Sequence, residues 1–262
     1  MKKHFYWSIL FAAFFIAAFW IIFFKKSRAL KLISQRPIYL IAHGVNKKSD
    51  ISLALSQGAN AIECDVRLKN CLWVIAHSNY DKSEDLIVWL QHINQSDVVL
   101  IIFDIKTPDS ADEVYNLFAI VRKFIINPIF VLFSIAYFRQ RWSFEKIAPY
   151  LGTHCGVAID FSPKFRKIKK FFTQKLNIRN FWYGNGIYHI FPMMRLLHIM
   201  RKAKKVSLQT YIWTLKRPKD IQTALDVGIN GIMVDLFYLQ RSKQIITSNQ
   251  LQLATLHDCP WE

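Results

Sequence analysis

The chain has 262 residues, of which 52% are hydrophobic and 20% charged, with no low-complexity segment and no domain-sized linker, so it holds one barrel-sized domain rather than several. Its 35 Lys and Arg against 18 Asp and Glu give a formal charge of +17, which attracts phosphate-dense surfaces, yet no nucleic-acid-binding signature accompanies it and nucleic acid is not an expected partner. Four cysteines (Cys64, Cys71, Cys155 and Cys259) stand apart without a CxxC pair, which excludes the usual zinc spacings and leaves buried free thiols as the default.

Residues 1–4 form a short flank, and the stretch from Phe5 to Phe24 runs for twenty residues without a charge. As a helix rising ~1.5 Å per residue it would span roughly the 30 Å hydrocarbon core, so it is expected to be a transmembrane signal anchor. A cleaved signal peptide is the competing reading, but Lys25, Lys26 and Arg28 follow where small residues should mark a cleavage site. Residues 25–36 read as a basic linker, whose positive charge favours a cytoplasmic side for the domain that follows. A bilayer is thus an expected partner.

From residue 37 to the end, short apolar runs alternate with segments of helical period. The expected strands are Ile38 to Ala42, Ala61 to Val66, Val98 to Asp104, Ile129 to Ser134, Gly156 to Asp160, Ile178 to Trp182, Ser207 to Trp213 and Gly231 to Asp235. Between most of them fall expected helices: Lys48 to Gln57, Ser110 to Ile126, Phe144 to Leu151, Ser162 to Leu176, Pro192 to Lys204 and Pro218 to Val227. Pro218 suits a helix start, and Gly228 suits the left-handed residue that follows a helix end. Eight such units predict a (β/α)₈ TIM barrel over residues 37–262, and no GxGxxG follows the first strand to suggest an open dinucleotide-binding sheet. The tail from Leu236 carries enough apolar residues to pack back onto the domain.

Polar residues cluster at the ends of these strands, where the loops of a barrel gather into one site. His43 follows the first strand in IAHGVN, Glu63 and Asp65 end the second, His77 follows the short run WVIA, and Asp104 and Lys106 end the next. Residues at i and i+2 share a strand face, so Cys64 points away from its acidic neighbours into the packing under the helices. Three convergent carboxylates repel one another unless a cation sits among them, and hard oxygen donors suit Mg²⁺ or Ca²⁺. Two histidines beside such a centre supply a base and an acid, and Lys106 can hold the remaining phosphate charge. Taken singly, each histidine reads as a structural residue and each acid as a cap or salt bridge, but their joint placement favours a site. Asp160, Trp182, Trp213 and Asp235 also fall at strand ends, where the tryptophans could wall a pocket or face a cationic headgroup, or serve ordinary barrel packing. The basic clusters Lys164, Arg166, Lys167, Lys169, Lys170 and Arg201, Lys202, Lys204, Lys205 suit anionic lipid or are solvated helix faces.

The segments RPIYLIAHGVN, LSQGANAIECDV, VVLIIFDIKT, IWTLKRPKDIQTALDVGINGIMVD and LATLHDCPW resemble, in order, the sphingomyelinase D family of phospholipase-D-type toxins, itself related to the glycerophosphodiester phosphodiesterases. The resemblance implies that His43 and His77 are the acid/base pair, that Glu63, Asp65 and Asp104 hold magnesium, that Lys106 contacts phosphate and that Trp213 lines the substrate pocket. It also implies a metal-dependent phosphodiesterase acting on sphingomyelin or a lysophospholipid, expelling the alcohol headgroup and forming a cyclic phosphate. Two departures stand out: the loop HSNYDKSED lacks the disulfide of the secreted relatives, and Asp235 stands where the family usually has Asn. The alternatives are a glycerophosphodiester phosphodiesterase, whose HRG opening is here HGVN, and a catalytically silent lipid-binding barrel.

Overall fold

The computed structural model describes residues 36–106, 110–160, 164–186 and 193–261. Pro37–Glu262 forms one compact unit. Its strands are β1 (Tyr39–Ala42), β2 (Ala61–Lys69), β3 (Leu72–Ile75), β4 (Glu84–Asp85), β5 (Leu100–Ile105), β6 (Phe130–Ile135), β7 (Cys155–Ile159), β8 (Phe181–Asn185), β9 (Gln209–Ile212) and β10 (Gly231–Val234). The helices are α1 (Lys48–Ser56), α2 (Leu86–Ile93), α3 (Ala111–Phe124), α4 (Phe165–Lys170), α5 (Met193–Lys205), α6 (Pro218–Val227) and α7 (Leu239–Ser248).

Eight strands run parallel in the order β1-β2-β5-β6-β7-β8-β9-β10, and β10 pairs back with β1 to close the barrel. Alternation along each strand divides the apolar residues between two layers. Tyr39, Ile41, Leu100, Ile102, Leu132, Trp182, Tyr211 and Met233 fill the interior, while Leu40, Ile62, Ile101, Phe103, Val131, Phe133 and Val157 pack outward under the helices. Cys64 belongs to that outer layer, fully buried. Each large side chain so buried contributes roughly 1.5–3 kcal/mol of transfer free energy, which is why both faces of the strands read as apolar runs.

Helix ends are set by the expected punctuation in places: α6 begins on Pro218 and is capped by Gly228, whose φ of 88° lets its N–H reach the carbonyls of Ala224 and Leu225. The tail seals the N-terminal end of the barrel. Asn60 donates to the Ala254 carbonyl at 2.7 Å, Trp182 Nε1 donates to the Pro260 carbonyl at 2.7 Å, and Trp261 Nε1 donates to the Thr153 carbonyl at 2.8 Å.

Several expectations are corrected. The span from Phe5 to Phe24 lies outside the described residues, and among the described residues no helix is long and apolar enough to cross a membrane. The longest helix among the described residues, α3, has 14 residues, about 21 Å of rise against a ~30 Å hydrocarbon core. Among the described residues the fold is the barrel, and the single-pass anchor and the cytoplasmic placement read from it are not supported. Phe144 to Leu151 is not an α-helix but lies across two 3₁₀ turns, Phe138–Phe144 and Ala148–Tyr150, because Pro149 removes a donor where a continuing helix would need one. The sixth barrel strand starts at Phe181, three residues beyond the expected start. The β3–β4 pair, α2 and α7 are additional elements.

Candidate active site

The carboxyl ends of the eight barrel strands surround a cavity of about 390 Å³ lined by His43, Glu63, His77, Asp104, Lys106 and Asp160 together with apolar walls that include Ile102, Met233 and Trp213. Register explains the cluster. Asp65 on β2 is the partner of Asp104 on β5, and both point inward because the residues between them and Glu63 alternate outward. One oxygen from each of Glu63, Asp65 and Asp104 lies within 4.8 Å of the others.

His77 reaches this cluster from outside the barrel. β3 folds back antiparallel on β2, pairing Val66 with Ile75, so Ala76 N–H donates to the Asp65 carbonyl at 2.9 Å and the next residue arrives beside Asp65. His77 Nδ1 stands 3.2 Å from Asp65 Oδ2. His43 comes from the opposite side, following β1, with Nδ1 3.0 Å from Asp235 Oδ1 and Nε2 4.0 Å from Glu63 Oε2. Asp235 follows the adjacent strand β10 and also meets Lys216 Nζ at 3.4 Å. The His43 bond is the first cause holding Asp235 below the usual carboxylate range. An ionised Asp235 only accepts, so the proton of this pair sits on His43 Nδ1 and Nε2 turns to the acidic cluster.

The residues after His43 hold the acids in place. Gly44 N–H donates to Glu63 Oε2 at 2.8 Å, while Asn46 takes the Asp65 N–H at 2.8 Å and donates its amide to Asp65 Oδ2 at 2.6 Å. Gly44 has φ of 67°, a conformation that a side chain would strain, and it lets the chain turn its N–H onto the carboxylate. Gly44 and Asn46 were not singled out from the sequence, although both lie inside the quoted IAHGVN segment. Lys216 and Tyr211 were likewise missed.

Charge in the cluster is unbalanced. Lys106 Nζ bridges Asp65 Oδ1 at 2.5 Å and Asp104 Oδ2 at 2.6 Å. Burial opposes its charge, but Asp104, Asp65 and Glu63 hold the ammonium above the ordinary lysine range. One lysine does not satisfy three carboxylates. Burial and then Asp65 push Glu63 up from 4.5 to about 7, and burial likewise raises Asp104. Asp65 is lowered, because Lys106, Asn46 and His77 together outweigh its burial. Burial works against a charged His43, yet the bond to Asp235 and the charges of Glu63, Asp235 and Asp65 raise it from 6.5 to about 9. Neighbouring carboxylates add to the rise of Glu63, His43 and Lys106, and an all-oxygen donor set of this size fits a hard divalent cation.

Asp160 forms part of the floor rather than of the acidic triad. It is buried, accepts from Tyr211 Oη at 2.6 Å, and is raised well above the carboxylate range by burial and Asp104. Tyr211 Oη lies 3.2 Å from Ser134 Oγ. Trp213 walls the cavity against Gly186, where an added Cβ would come within 2.0 Å of the Trp213 carbonyl. Trp182 does not line the cavity: it is the second residue of β8, near the sealed end, fully buried against Tyr39 at a ring separation of 5.4 Å. Because β8 starts later than expected, its carboxyl end is Asn185, not Trp182.

A family model described as Sphingomyelinase D/Phospholipase D matches residues 33–180. Dermonecrotic toxin StSicTox-betaIB1i of Sicarius terrosus is 23% identical over 87% of this chain and 99% of the toxin. Dermonecrotic toxin LlSicTox-alphaIII3ii of Loxosceles laeta is 23% identical over 86% of this chain and 99% of that toxin. Among solved structures, a glycerophosphodiester phosphodiesterase from Parabacteroides distasonis superposes with a TM-score of 0.64 at 16% identity, covering 81% of this chain and 98% of its own. An Oleispira antarctica phosphodiesterase, solved with its product sn-glycerol-3-phosphate, gives 0.60 at 16% identity over 81% and 97%. These structural likenesses support the barrel. With two imidazoles, three carboxylates and a lysine gathered at its mouth and the family model matching more than half of its length, the chain belongs to the sphingomyelinase D/phospholipase D family and is a phosphodiester-cleaving enzyme.

Proposed function

We propose that this enzyme cleaves sphingomyelin or a lysophospholipid in a Mg²⁺-dependent reaction that expels the alcohol headgroup and leaves a cyclic phosphate on the lipid. The observation that carries the reading is the placement of His43 and His77 on two sides of Glu63, Asp65 and Asp104, whose oxygens lie within 4.8 Å of one another, over a cavity with apolar walls. Such walls suit a lipid better than a fully hydrated diester.

Glu63, Asp65 and Asp104 would hold the ion. Held there, the ion would supply Lewis-acid polarisation of a phosphoryl oxygen. Lys106 neutralises further charge on the phosphate as pentacoordinate phosphorus forms. One imidazole takes the proton of the attacking lipid hydroxyl, whose oxygen bonds to phosphorus. The P–O bond to the headgroup breaks, and the other imidazole protonates the departing alkoxide. Asp235 and Asp65 each accept from an Nδ1–H, which keeps both Nε2 atoms available for these transfers.

The test uses the full chain with sphingomyelin, lysophosphatidylcholine and glycerophosphocholine, with Mg²⁺ or with chelator, and mass spectrometry of the products. A cyclic phosphate formed only with the metal, and lost in His43→Ala and His77→Ala, is the expected result. Equal headgroup release by His43→Ala would remove the acid/base assignment. Glycerol phosphate released from glycerophosphocholine, without a cyclic product from either lipid, would replace the substrate assignment.

A further inference from the structure

The charge of the chain is confined to one part of it. Between Asp160 and Asp220 the 59 residues 161–219 contain 15 Lys and Arg and no Asp or Glu, leaving 20 Lys and Arg against all 18 acids in the rest. Nearly the whole formal charge of +17 therefore falls in a single run that the barrel folds into one sector, from the end of β7 to the start of α6. A run of solvated helix faces would carry acids among the bases, as α3 does with Asp112 and Glu113 in its first turn and Arg122 and Lys123 in its last.

The fold concentrates the charge further. α4 and α5 flank a groove of about 510 Å³ whose described lining includes Lys164, Arg166, Lys167, Lys202 and Lys205, with Phe165 and Val206 and no acid. Lys169 fixes the two helices by donating to the Val206 carbonyl at 2.7 Å. Lys164, Arg166, Lys167, Lys202 and Lys205 are exposed. Packing Arg166, Lys167, Lys202 and Lys205 around one groove costs mutual repulsion that a polyanionic surface relieves, and at ~0.15 M salt such charges act over about 8 Å, so they act together on a surface they touch.

We propose that this sector docks the enzyme on bilayers rich in anionic lipid, with the α4–α5 groove receiving lipid phosphates. Choosing a bilayer over other polyanions rests on the reading of the substrate as a membrane lipid. The groove lies on the flank of the barrel and uses none of the cavity residues, so docking and chemistry separate in experiment.

Vesicles of phosphatidylcholine alone and with 30% phosphatidylserine are sedimented with the full chain at low and high salt, and lysine acetylation reports which side chains the vesicles cover. Expected are tighter binding to the anionic vesicles, loss of that preference with salt, and protection of Lys167, Lys202 and Lys205. Each cation near an anionic surface strengthens binding about fivefold, so the combined Lys167→Gln, Lys202→Gln, Lys205→Gln variant loses roughly a hundredfold in the anionic preference. The same change at Lys47 and Lys48 leaves it intact. The variant keeps its melting temperature and its turnover of micellar lysophospholipid. No difference between the two vesicle compositions, unprotected groove lysines, or tighter binding to duplex RNA than to the anionic vesicles would overturn the proposal. Vesicle binding that survives while no lipid is turned over would instead overturn the substrate reading and leave this one standing.

Discussion

Replacing Glu63 by Gln tests the reasoning about the acidic cluster most directly. Glu63 is 4% exposed and its pKa rises from 4.5 to about 7 in the folded, metal-free protein, chiefly through burial and then through Asp65. An acid raised on folding costs nothing below its unfolded value, begins to destabilise as pH passes about 4.5, and exerts its full cost above about 7. That difference corresponds to roughly 3 kcal/mol, at ~1.4 kcal/mol per tenfold change in proton affinity. Gln keeps the shape and can still accept from Gly44 N–H, so Glu63→Gln removes the charge without opening a cavity. In chelator at pH 8 the variant should melt higher than the parent, by on the order of 6–12 °C for a domain of this size. At pH 4.5 the two should melt together. In saturating Mg²⁺ the order should reverse, because the parent gains binding energy that the variant lacks. Thermal melts by circular dichroism at the two pH values, with and without metal, decide the matter. A variant that melts lower than the parent at pH 8 in chelator would refute the account of Glu63 as an uncompensated buried charge.

Asp235→Asn should lower turnover about tenfold or more with little loss of fold, because the amide no longer holds the Nδ1 proton of His43 by charge and the imidazole loses its fixed orientation; the pH profile measured with metal present should shift its histidine limb to lower pH, and an unchanged profile would remove the orienting role. Gly184→Ala places a Cβ within 1.8 Å of Asp160 Oδ1 and 2.4 Å of Tyr211 Cζ, so it should break the Tyr211–Asp160 bond and destabilise by about 1–3 kcal/mol or more, read from chemical denaturation. Lys106→Met should raise KM and lower kcat together, since the phosphate loses a cation while Asp65 and Asp104 lose their bridge, and kinetics under Mg²⁺ saturation should show it.

The strands were legible because a parallel barrel buries both of their faces, and runs such as Val98 to Asp104 leave no other assignment. Polar residues at the ends of those runs, His43, Glu63, Asp65, Asp104 and Lys106, were legible for the same reason: they interrupt apolar strands at a single end. Trp182 was misplaced when a three-residue error in the start of β8 exchanged one end of a strand for the other. The helix expected at Phe144 to Leu151 failed because apolar spacing alone does not register the donor lost at Pro149.

Amino-acid order alone determined the barrel and the chemical types at its mouth, since strand period and burial are local properties of the chain. Tertiary structure decided which of those groups touch. Only closure of β10 on β1 brings Asp235 to His43 across 192 residues of sequence, and only the fold-back of β3 carries His77 to Asp65. Those pairings depend on register between distant segments, which no periodicity within one segment encodes.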